Sequence, residues 1–402
     1  MTRTFRAAVV LLLCVAARTA SAQPPIAPAE PSAPARVQVG PFEVRPALIM
    51  RDIGWDSNVF NQSTQEQGDF TATFGAKVDL GVRKSRVIAN YTSFFEYLFF
   101  KEFDSERGSN RGSDGRVDFV FGRIRPYFLA GLISSHDRPN AEIDQRARRQ
   151  QGQIGFGVIA AAFSRTALTV GYRRQSIDYA EDESFRGLKL ANELNGHSDS
   201  YSYGVEVEAT PLTTLTAHGE YLQERFTLSP DRDANSYAAG LTATLHPLAL
   251  ISGRATIGMR AFRPLSPLEH DFTGLTANVA VAYNFRDESR LELGVDRNLR
   301  HSLFEETPYY VSTGGRVAFT QRFTRVLDGQ VVLAAERLAY ETRTSEPVSE
   351  RDRLRTIGGG VGFQLRDGAR LGINFDHTTR SSPVAVREFS RGRLYGTVTY
   401  GF

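Results

Sequence analysis

From Phe42 to the end of the chain, apolar and polar residues alternate in short segments. In the segment 70–82, Phe70, Phe74 and Leu80 fall on one side of the alternation, and Lys77 and Asp79 fall on the other. Successive side chains of a β-strand point to opposite sides, so this pattern predicts a strand with one apolar and one polar face. A helix would need a period of 3.6 residues, which these positions do not follow.

The same alternation recurs in eighteen segments, which predict a sheet of sixteen to eighteen strands. They lie at about 42–52, 70–82, 86–101, 113–122, 125–135, 149–163, 166–179, 198–209, 213–226, 234–245, 250–263, 272–284, 289–299, 309–321, 325–340, 353–366, 369–379 and 388–402.

Short and long connections alternate between these segments. The short ones lie at 83–85, 122–125, 164–165, 210–213, 246–249, 285–288, 322–325 and 366–369. The long ones lie at 53–69, 102–112, 136–148, 180–197, 227–233, 264–271, 300–308, 341–352 and 380–387. Tight turns at one end and long loops at the other are typical of an outer-membrane barrel, in which the periplasmic turns are short and the extracellular loops long.

A sheet with one apolar face must cover that face, and a lipid bilayer does so if the sheet closes and pairs its edges. We therefore predict an all-β protein, a transmembrane antiparallel β-barrel of about 18 strands, over residues 42–402. The polar faces would then enclose water, because burying so many charges unpaired in a dry core would be costly. The predicted pore-lining residues are Lys77, Asp79, Arg116, Asp118, Arg173, Glu206, Glu208, Glu220, Arg254, Arg260, Glu292, Asp296, Arg316, Arg370, Asp376, Arg391 and Arg393.

Composition agrees with this interpretation. Of the 402 residues, 41% are hydrophobic, and the mean hydropathy of −0.30 argues against membrane-spanning helices, each of which needs about 20 mostly apolar residues. An aromatic content of 11% argues against disorder. The single cysteine, Cys14, excludes a disulfide framework and a cysteine-based zinc site.

The N-terminus has the features of an export signal. Residues 1–22 combine Arg3 and Arg6 with an apolar stretch and a small-residue cleavage pattern, which predicts a signal peptide. Residues 23–41, rich in proline and alanine, are predicted to form a periplasmic linker. Cleavage after Ala22 would remove three of the 48 basic residues and leave 45 against 45 acidic ones, so no nucleic-acid partner is expected.

Aromatic residues cluster near the predicted strand ends, where they would form girdles at the two membrane interfaces, although strand propensity alone favours aromatics as well. They are Tyr172, Tyr179, Tyr201, Tyr221, Tyr283, Tyr309, Tyr310, Tyr340, Tyr400 and Phe402. In the last segment, Val398, Tyr400 and Phe402 share one face. This ending resembles the signal by which the barrel-assembly machinery recognises bacterial outer-membrane proteins, and makes that machinery an expected partner.

One local motif suggests a family. Gly54-Trp-Asp-Ser-Asn-Val-Phe60 resembles the G-[YW]-x-x-N-[VI]-[FY] stretch near the start of the putative beta-barrel porin 2 type proteins. The resemblance implies a Gram-negative outer-membrane barrel, and some members of that family are associated with exopolysaccharide loci. It supplies no site residues that could be transferred to this chain.

Nothing in the sequence indicates catalysis. His218 and Glu220 share a lumen face, but no nucleophile motif or oxyanion element accompanies them. No cofactor is predicted, and no histidine or carboxylate grouping has the spacing of a metal site.

The expected function is passive, weakly ion-selective passage of small hydrophilic solutes through a porin-like channel in the outer membrane. Any constriction is expected from the two longest loops, 53–69 and 180–197. Two alternatives stay open: a barrel component of exopolysaccharide export, which would hold a glycan, and an inert anchor that presents its loops. Membrane lipid is the other expected partner, and a homotrimer is one option because porins are often trimers.

Overall fold

The computed structural model describes residues 37–246, 249–285, 288–342, 351–366 and 369–401. The predicted signal peptide, most of the predicted linker and Phe402 lie outside these ranges.

Eighteen antiparallel strands, β1 to β18, form one sheet in which each strand pairs with the next along the chain. Their bounds are Phe42–Asp56, Asp69–Lys84, Val87–Phe100, Gly108–Phe119, Ile124–Asp137, Ala147–Phe163, Thr166–Tyr179, Gly196–Thr210, Thr213–Phe226, Ala234–Leu245, Ile251–Pro264, Phe272–Phe285, Ser289–His301, Tyr309–Arg322, Leu327–Glu341, Arg351–Arg366, Ala369–Ser381 and Phe389–Gly401.

The sheet closes on itself because β18 pairs with β1, with Leu48 opposite Tyr400 and Trp55 opposite Leu394. Closure leaves no open edge, which a membrane-spanning sheet requires. The predicted fold class is therefore confirmed, with eighteen strands. The short connections lie at one end of the barrel, here called the turn end, and the longer ones at the other, the loop end.

The outer wall is apolar over most of its height. Leu241 on β10, for example, is 68% exposed on this surface, and large apolar side chains at alternate positions of the other strands are also exposed there. Lys77 and Asp79 on β2 face the opposite way, into the lumen, and form an ion pair of 3.0 Å. The apolar face therefore points towards lipid and the charged face encloses the lumen.

The fourth predicted strand differs from the structure at both of its ends. The alternation indicated a fourth strand at 113–122, whereas β4 covers Gly108–Phe119. At its loop end this strand turns Ser109 and Arg111 to the outside, and both lie opposite β3 or β5 in regular register. Because those outward positions are polar, hydrophobic alternation gave no signal for this part of the strand.

The remaining regular structure is small. A short strand, Val37–Val39, pairs with the start of β1. A five-residue helix α1, Leu190–Leu194, lies in the loop before β8. Within the described ranges, no helix is long and apolar enough to cross a membrane.

Replacing Leu241 with arginine tests the orientation of the two faces. Leu241→Arg would place a charge in hydrocarbon and is expected to lower the free energy of unfolding by about 2–4 kcal/mol. The measurement is urea-dependent folding into lipid vesicles. The matched control is Ala238→Arg on the same strand, which faces the lumen between Glu220 and Arg260, whose charge Glu224 already pairs, and should cost much less. Equal costs for the two variants would contradict the assignment of faces.

Candidate functional site: the lumen and its inward-folded loops

The strand register places all seventeen predicted pore-lining residues on the lumen face. The positions follow from alternation within each strand and from pairs such as Asn278 with Asp296 and Asp376 with Arg393. Whether each of these residues contacts a passing solute stays a prediction.

Many of these charges are paired with one another or with neighbouring wall residues. Arg116 and Asp118 form an ion pair of 2.7 Å on β4. Arg393 on β18 pairs with Asp376 on β17 at 2.5 Å. The further ion pairs of predicted pore-lining residues are Arg260 with Glu224, Arg290 with Glu292, Arg300 with Asp296, Arg370 with Asp328, and Arg391 with Asp56. Such pairs hold side chains against the wall and reduce the field that a solute experiences.

A smaller group of predicted residues forms no ion pair within the described part of the chain. The cations of this group are Arg173, Arg254 and Arg316, and the anions are Glu206, Glu208 and Glu220. Glu208 on β8 and Arg254 on β11 lie at the same level of the wall. Glu208 is opposite Thr214, Thr214 is opposite Thr244, and Thr244 is opposite Arg254. Within this group of predicted residues the charges are therefore balanced in sign.

The loop 138–146, between β5 and β6, enters the lumen at the loop end. Ala141 lies in an apolar cluster with Tyr310, Leu338, Tyr340 and Leu354, which belong to β14, β15 and β16. Those strands lie across the barrel from the ones that the loop connects. The loop therefore spans the lumen, as a constriction loop does.

Arg380 on β17 anchors the far side of this loop. Its guanidinium donates a hydrogen bond of 2.7 Å to the carbonyl oxygen of Ala141 and lies 3.3 Å from the Asp144 carboxylate. The same guanidinium forms a buried ion pair with Asp352 of β16. Hydrogen bonds from a charged donor contribute about 1.5–3 kcal/mol each, so this arginine is a principal attachment of the loop.

Glu142 makes the second attachment. Its carboxylate accepts hydrogen bonds from the Ser302 hydroxyl at 2.6 Å and from the backbone N–H of Leu303 at 3.0 Å. Both partners belong to the loop between β13 and β14. Burial raises the pKa of Glu142 to about 6, despite these hydrogen bonds and the charges of Arg387 and Arg380.

Two further loops support the constriction loop. Arg138 donates a hydrogen bond of 2.6 Å to the carbonyl oxygen of Val59, in the loop that follows β1. Ile143 packs in a second cluster with Phe185 and Leu190, which belong to the loop between β7 and β8. Residues of both long loops are thus buried inside the barrel mouth.

The tip of the β13–β14 hairpin also leans into the mouth. By register Tyr309 belongs to the outer face, yet its ring centroid lies 5.2 Å from that of Phe262, on the lumen face of β11. His301 also belongs to the outer face by register, and its ring centroid lies 4.8 Å from that of Phe226 and 5.6 Å from that of Phe262. An outer face can meet a lumen face only if the hairpin tip folds inward.

Arg232, from the loop between β9 and β10, connects these inserted parts. It is 2% exposed and donates a hydrogen bond of 2.9 Å to the carbonyl oxygen of Leu303. It also pairs with Glu193 of α1 at 3.0 Å. Four loops and a hairpin tip therefore form one connected constriction at the loop end.

Solvent reaches the charged wall nearer the turn end. The side chains of Lys77, Asp79, Arg290 and Glu292 are 37–48% exposed, whereas those of Arg380 and Asp352 are at most 1% exposed. The narrowest part of any path through the barrel therefore lies at the loop end.

The expectation that the two longest loops alone would form the constriction was incomplete. Both contribute buried residues, but the segment that crosses the lumen is the shorter loop 138–146. One local signal for its order was present in the sequence. The Asn140 side chain accepts hydrogen bonds from the backbone N–H groups of Glu142 and Ile143, an Asx-type turn that Pro139-Asn140 favours.

Three predicted girdle residues, Tyr172, Tyr201 and Tyr221, lie in a row of aromatic rings on the outer wall, and their place at a membrane interface stays a prediction. The rings of Phe156, Tyr172, Tyr201, Tyr221 and Tyr237 contact one another across five adjacent strands, with centroids 5.0–6.2 Å apart. Four predicted members were wrong, because they are buried inside the mouth: Tyr179, Tyr309, Tyr310 and Tyr340. Val398 and Tyr400 of the predicted assembly signal share the outer face of β18.

His218 and Glu220 do share a lumen face on β9, and Glu220 accepts a hydrogen bond from Ser200. In the described part of the chain, no group of three or more histidine, cysteine or carboxylate side chains could hold a metal ion.

Comparison with known proteins identifies relatives by sequence and by fold. Residues 30–402 match the sequence profile of the family described as "Putative beta-barrel porin 2". No curated protein matches the chain.

Three solved outer-membrane proteins have a similar fold. A BenF-like porin from Pseudomonas fluorescens Pf-5 superposes with a TM-score of 0.50 at 10% identity, over 90% of this chain and 100% of that one. OccAB3 of Acinetobacter baumannii superposes with a TM-score of 0.50 at 11% identity, over 89% of this chain and 99% of that one. OccK2 (OpdF) of Pseudomonas aeruginosa superposes with a TM-score of 0.50 at 11% identity, over 89% of this chain and 98% of that one. At these identities the likeness concerns the fold alone.

Removing the Arg380 anchor tests the seating of the constriction loop. The only native cysteine is Cys14, in the predicted signal peptide, so Ala141→Cys provides a single reporter in the described part of the chain. We expect Arg380→Ala to increase maleimide labelling of this reporter about tenfold or more, since it removes charged hydrogen bonds. Arg263→Ala, which removes an ion pair with Asp271 at the loop end of the outer wall, should change nothing. Unchanged labelling in a folded Arg380→Ala barrel would show that contacts other than those of Arg380 hold the loop in place.

The Glu142 carboxyl predicts a pH dependence of the constriction. Its pKa of about 6 in the seated loop, against an ordinary 4.5, means that seating is strongest below about pH 4.5 and weakens by about 2 kcal/mol as the pH rises through 6. Single-channel conductance is therefore expected to be smaller at pH 5 than at pH 7.5. Glu142→Gln should abolish this difference, and Glu181→Gln, at an exposed loop position, should preserve it. If the conductance of Glu142→Gln still depended on pH, another titrating group would be its cause.

Proposed function

Because the chain belongs to the family described as "Putative beta-barrel porin 2", we propose that its eighteen-stranded lumen is a gated diffusion path whose width the loop 138–146 sets. The protein is an outer-membrane, porin-like channel for small solutes. Eighteen strands leave a lumen wide enough for an aqueous channel. The observation that carries the proposal is the crossing of this lumen by one loop that two polar anchors hold.

The orientation follows from the connections. Outer-membrane barrels place short turns in the periplasm and long loops outside the cell, so the constriction lies at the extracellular entrance. The charged wall nearer the turn end then forms a periplasmic vestibule. A solute from outside meets the narrowest part first, and size selection occurs at entry.

The lumen charges support weak ion selectivity. Most of the predicted pore-lining charges form ion pairs, and the six that do not are three arginines and three glutamates. A field of one sign would have favoured ions of the other sign. Small neutral or zwitterionic hydrophilic solutes fit such a lumen best.

Several finer points belong to the same proposal. Export by a cleaved signal peptide over residues 1–22, a Gram-negative source and the absence of catalysis all fit an outer-membrane channel. Assembly by the barrel machinery through the C-terminal signal and a homotrimeric state are further proposals. Glycan export is the alternative function, and neighbouring genes for glycosyltransferases and chain export would support it.

Planar-bilayer recording tests the channel and its selectivity together. We expect conductance from the refolded barrel and a reversal potential near zero in a potassium chloride gradient. Arg173→Gln should shift selectivity towards cations, because Arg173 is exposed on the lumen face of β7. Its neighbour Arg174 faces outward, so Arg174→Gln is the matched control and should leave selectivity unchanged.

A barrel without conductance at any voltage or pH would contradict the channel proposal and favour an inert anchor. Restored conductance on deletion of residues 139–145 would instead show that the constriction loop is a complete plug.

A further inference from the structure

Five arginines on the outer wall form a patch at the loop end. They are Arg297 on β13, Arg337 on β15, and Arg351, Arg353 and Arg355 on β16, called here the outer arginine patch. Arg337 lies directly opposite Arg353, and Arg297 is separated from Arg337 by Thr313 alone. Like charges that lie directly opposite on adjacent strands destabilise a sheet. The patch therefore needs counter-charge.

The described part of the chain supplies little of that counter-charge. Within the described ranges, no carboxylate forms an ion pair with any of the five arginines. Glu341 and Glu388 are the described acids that face this area, so the described residues leave a surplus of three positive charges. Glu346 and Glu350 lie outside the described ranges.

Three other outward arginines at the loop end form ion pairs with carboxylates. Arg148 pairs with Glu183 at 2.6 Å, Arg225 with Asp233 at 3.8 Å and Arg263 with Asp271 at 3.3 Å. These three arginines are paired, whereas Arg111 on β4 stands alone and forms no ion pair within the described ranges. The outer arginine patch differs from both cases because it brings five arginines together on one side of the barrel.

The height of the patch matches the level of lipid head groups. On β13, β15 and β16 the outward residue changes from apolar to basic within one or two outward positions: from Val295 to Arg297, from Leu333 to Arg337 and from Ile357 to Arg355. Charges on the lipid face are costly at the bilayer centre and cost about 0–1 kcal/mol near the interface. The guanidinium groups therefore lie at the boundary between hydrocarbon and head groups.

An open groove descends from the patch along the apolar wall. It has a volume of about 510 Å³ and crosses four strands, with Arg355 and Thr379 in the row nearer the loop end and Val317, Leu333, Ile357 and His377 in the next row. Gly315 and Ala335 lie in the same row as Arg355, and their small size leaves the groove open down to the backbone. Phosphate-binding side chains at one end and apolar walls along the rest are complementary to a phosphorylated lipid with an acyl chain.

We propose that the outer arginine patch and this groove bind a phosphorylated glycolipid of the outer leaflet, with a head-group phosphate on Arg337, Arg353 and Arg355 and an acyl chain in the groove. Arginine suits this role because its planar fork of donors matches phosphate oxygens. The bound lipid supplies counter-charge that the described residues around the patch do not provide. The site is independent of the channel, because it lies on the opposite face of the wall.

The test measures binding of bis-phosphorylated lipid A to the full-length barrel in detergent, by native mass spectrometry and by displacement of a fluorescent lipid A. The triple variant Arg337→Gln, Arg353→Gln, Arg355→Gln is expected to bind about a hundredfold more weakly, which corresponds to about 1 kcal/mol for each arginine. Lipid A without its phosphates should bind the wild-type barrel about as weakly. Raising the salt concentration should weaken only the phosphate-dependent binding.

The matched control is Arg148→Gln, Arg225→Gln, Arg263→Gln, which removes the same charge from paired arginines and should bind as the wild type does. A second variant examines the groove alone. A side chain at Gly315 would meet open space, so Gly315→Phe should fold, fill the groove and weaken lipid binding while the patch stays intact.

Three results would overturn the proposal. The first is equal lipid A affinity of the triple variant and the wild type. The second is complete displacement of lipid A by inorganic phosphate at matched phosphate concentration, which would make the patch a free-anion site. The third is self-association of the wild-type barrel that the triple variant loses, without phosphate-dependent lipid binding, which would make this face an interface between copies.

Discussion

Hydrocarbon cannot hydrogen-bond, and this constraint determines the rest of the architecture. Every backbone N–H and C=O group at membrane depth must be paired within the protein, so the strands have to close into a ring. Closure between β1 and β18 assigns one side of every strand to lipid and the other to the lumen. The alternation of apolar and charged residues along the chain is the sequence counterpart of that division.

Inside the ring a second demand applies, because charged side chains must stay solvated or paired. Nearer the turn end water serves this purpose, and residues such as Lys77 and Glu292 remain exposed. At the loop end protein replaces water, and buried charges such as Arg380 and Asp352 pair with each other. A buried pair of this kind is stabilising only while both partners stay in place. The entrance is thus the part of the barrel in which a single substitution can change the architecture.

The sequence predicted the barrel well because period-two alternation records the division between lipid and water directly. Sequence-based prediction failed for residue types that occur on both sides of the barrel wall. Tyr310 and Tyr340 were expected in a girdle because tyrosine suits both a membrane interface and a packed interior. The constriction loop was missed because its anchors, Ser302 and Arg380, lie 160 and 239 residues from their partners in that loop. No local pattern encodes contacts of that range, and only the Asx-type turn at Asn140 hinted at local order.

The sequence separation of these anchors has a consequence for biogenesis. The segment that narrows the entrance belongs to the first half of the chain, whereas its attachment points, Ser302 and Arg380, belong to the last quarter or so. The first five strands and this segment can therefore form long before the anchors on the far side of the lumen exist. Narrowing of the entrance must be a late event of folding, completed only when the final hairpins have joined the wall. An unfinished barrel would be leakier than a finished one, and quality control that acts on ring closure would also protect the permeability barrier of the cell.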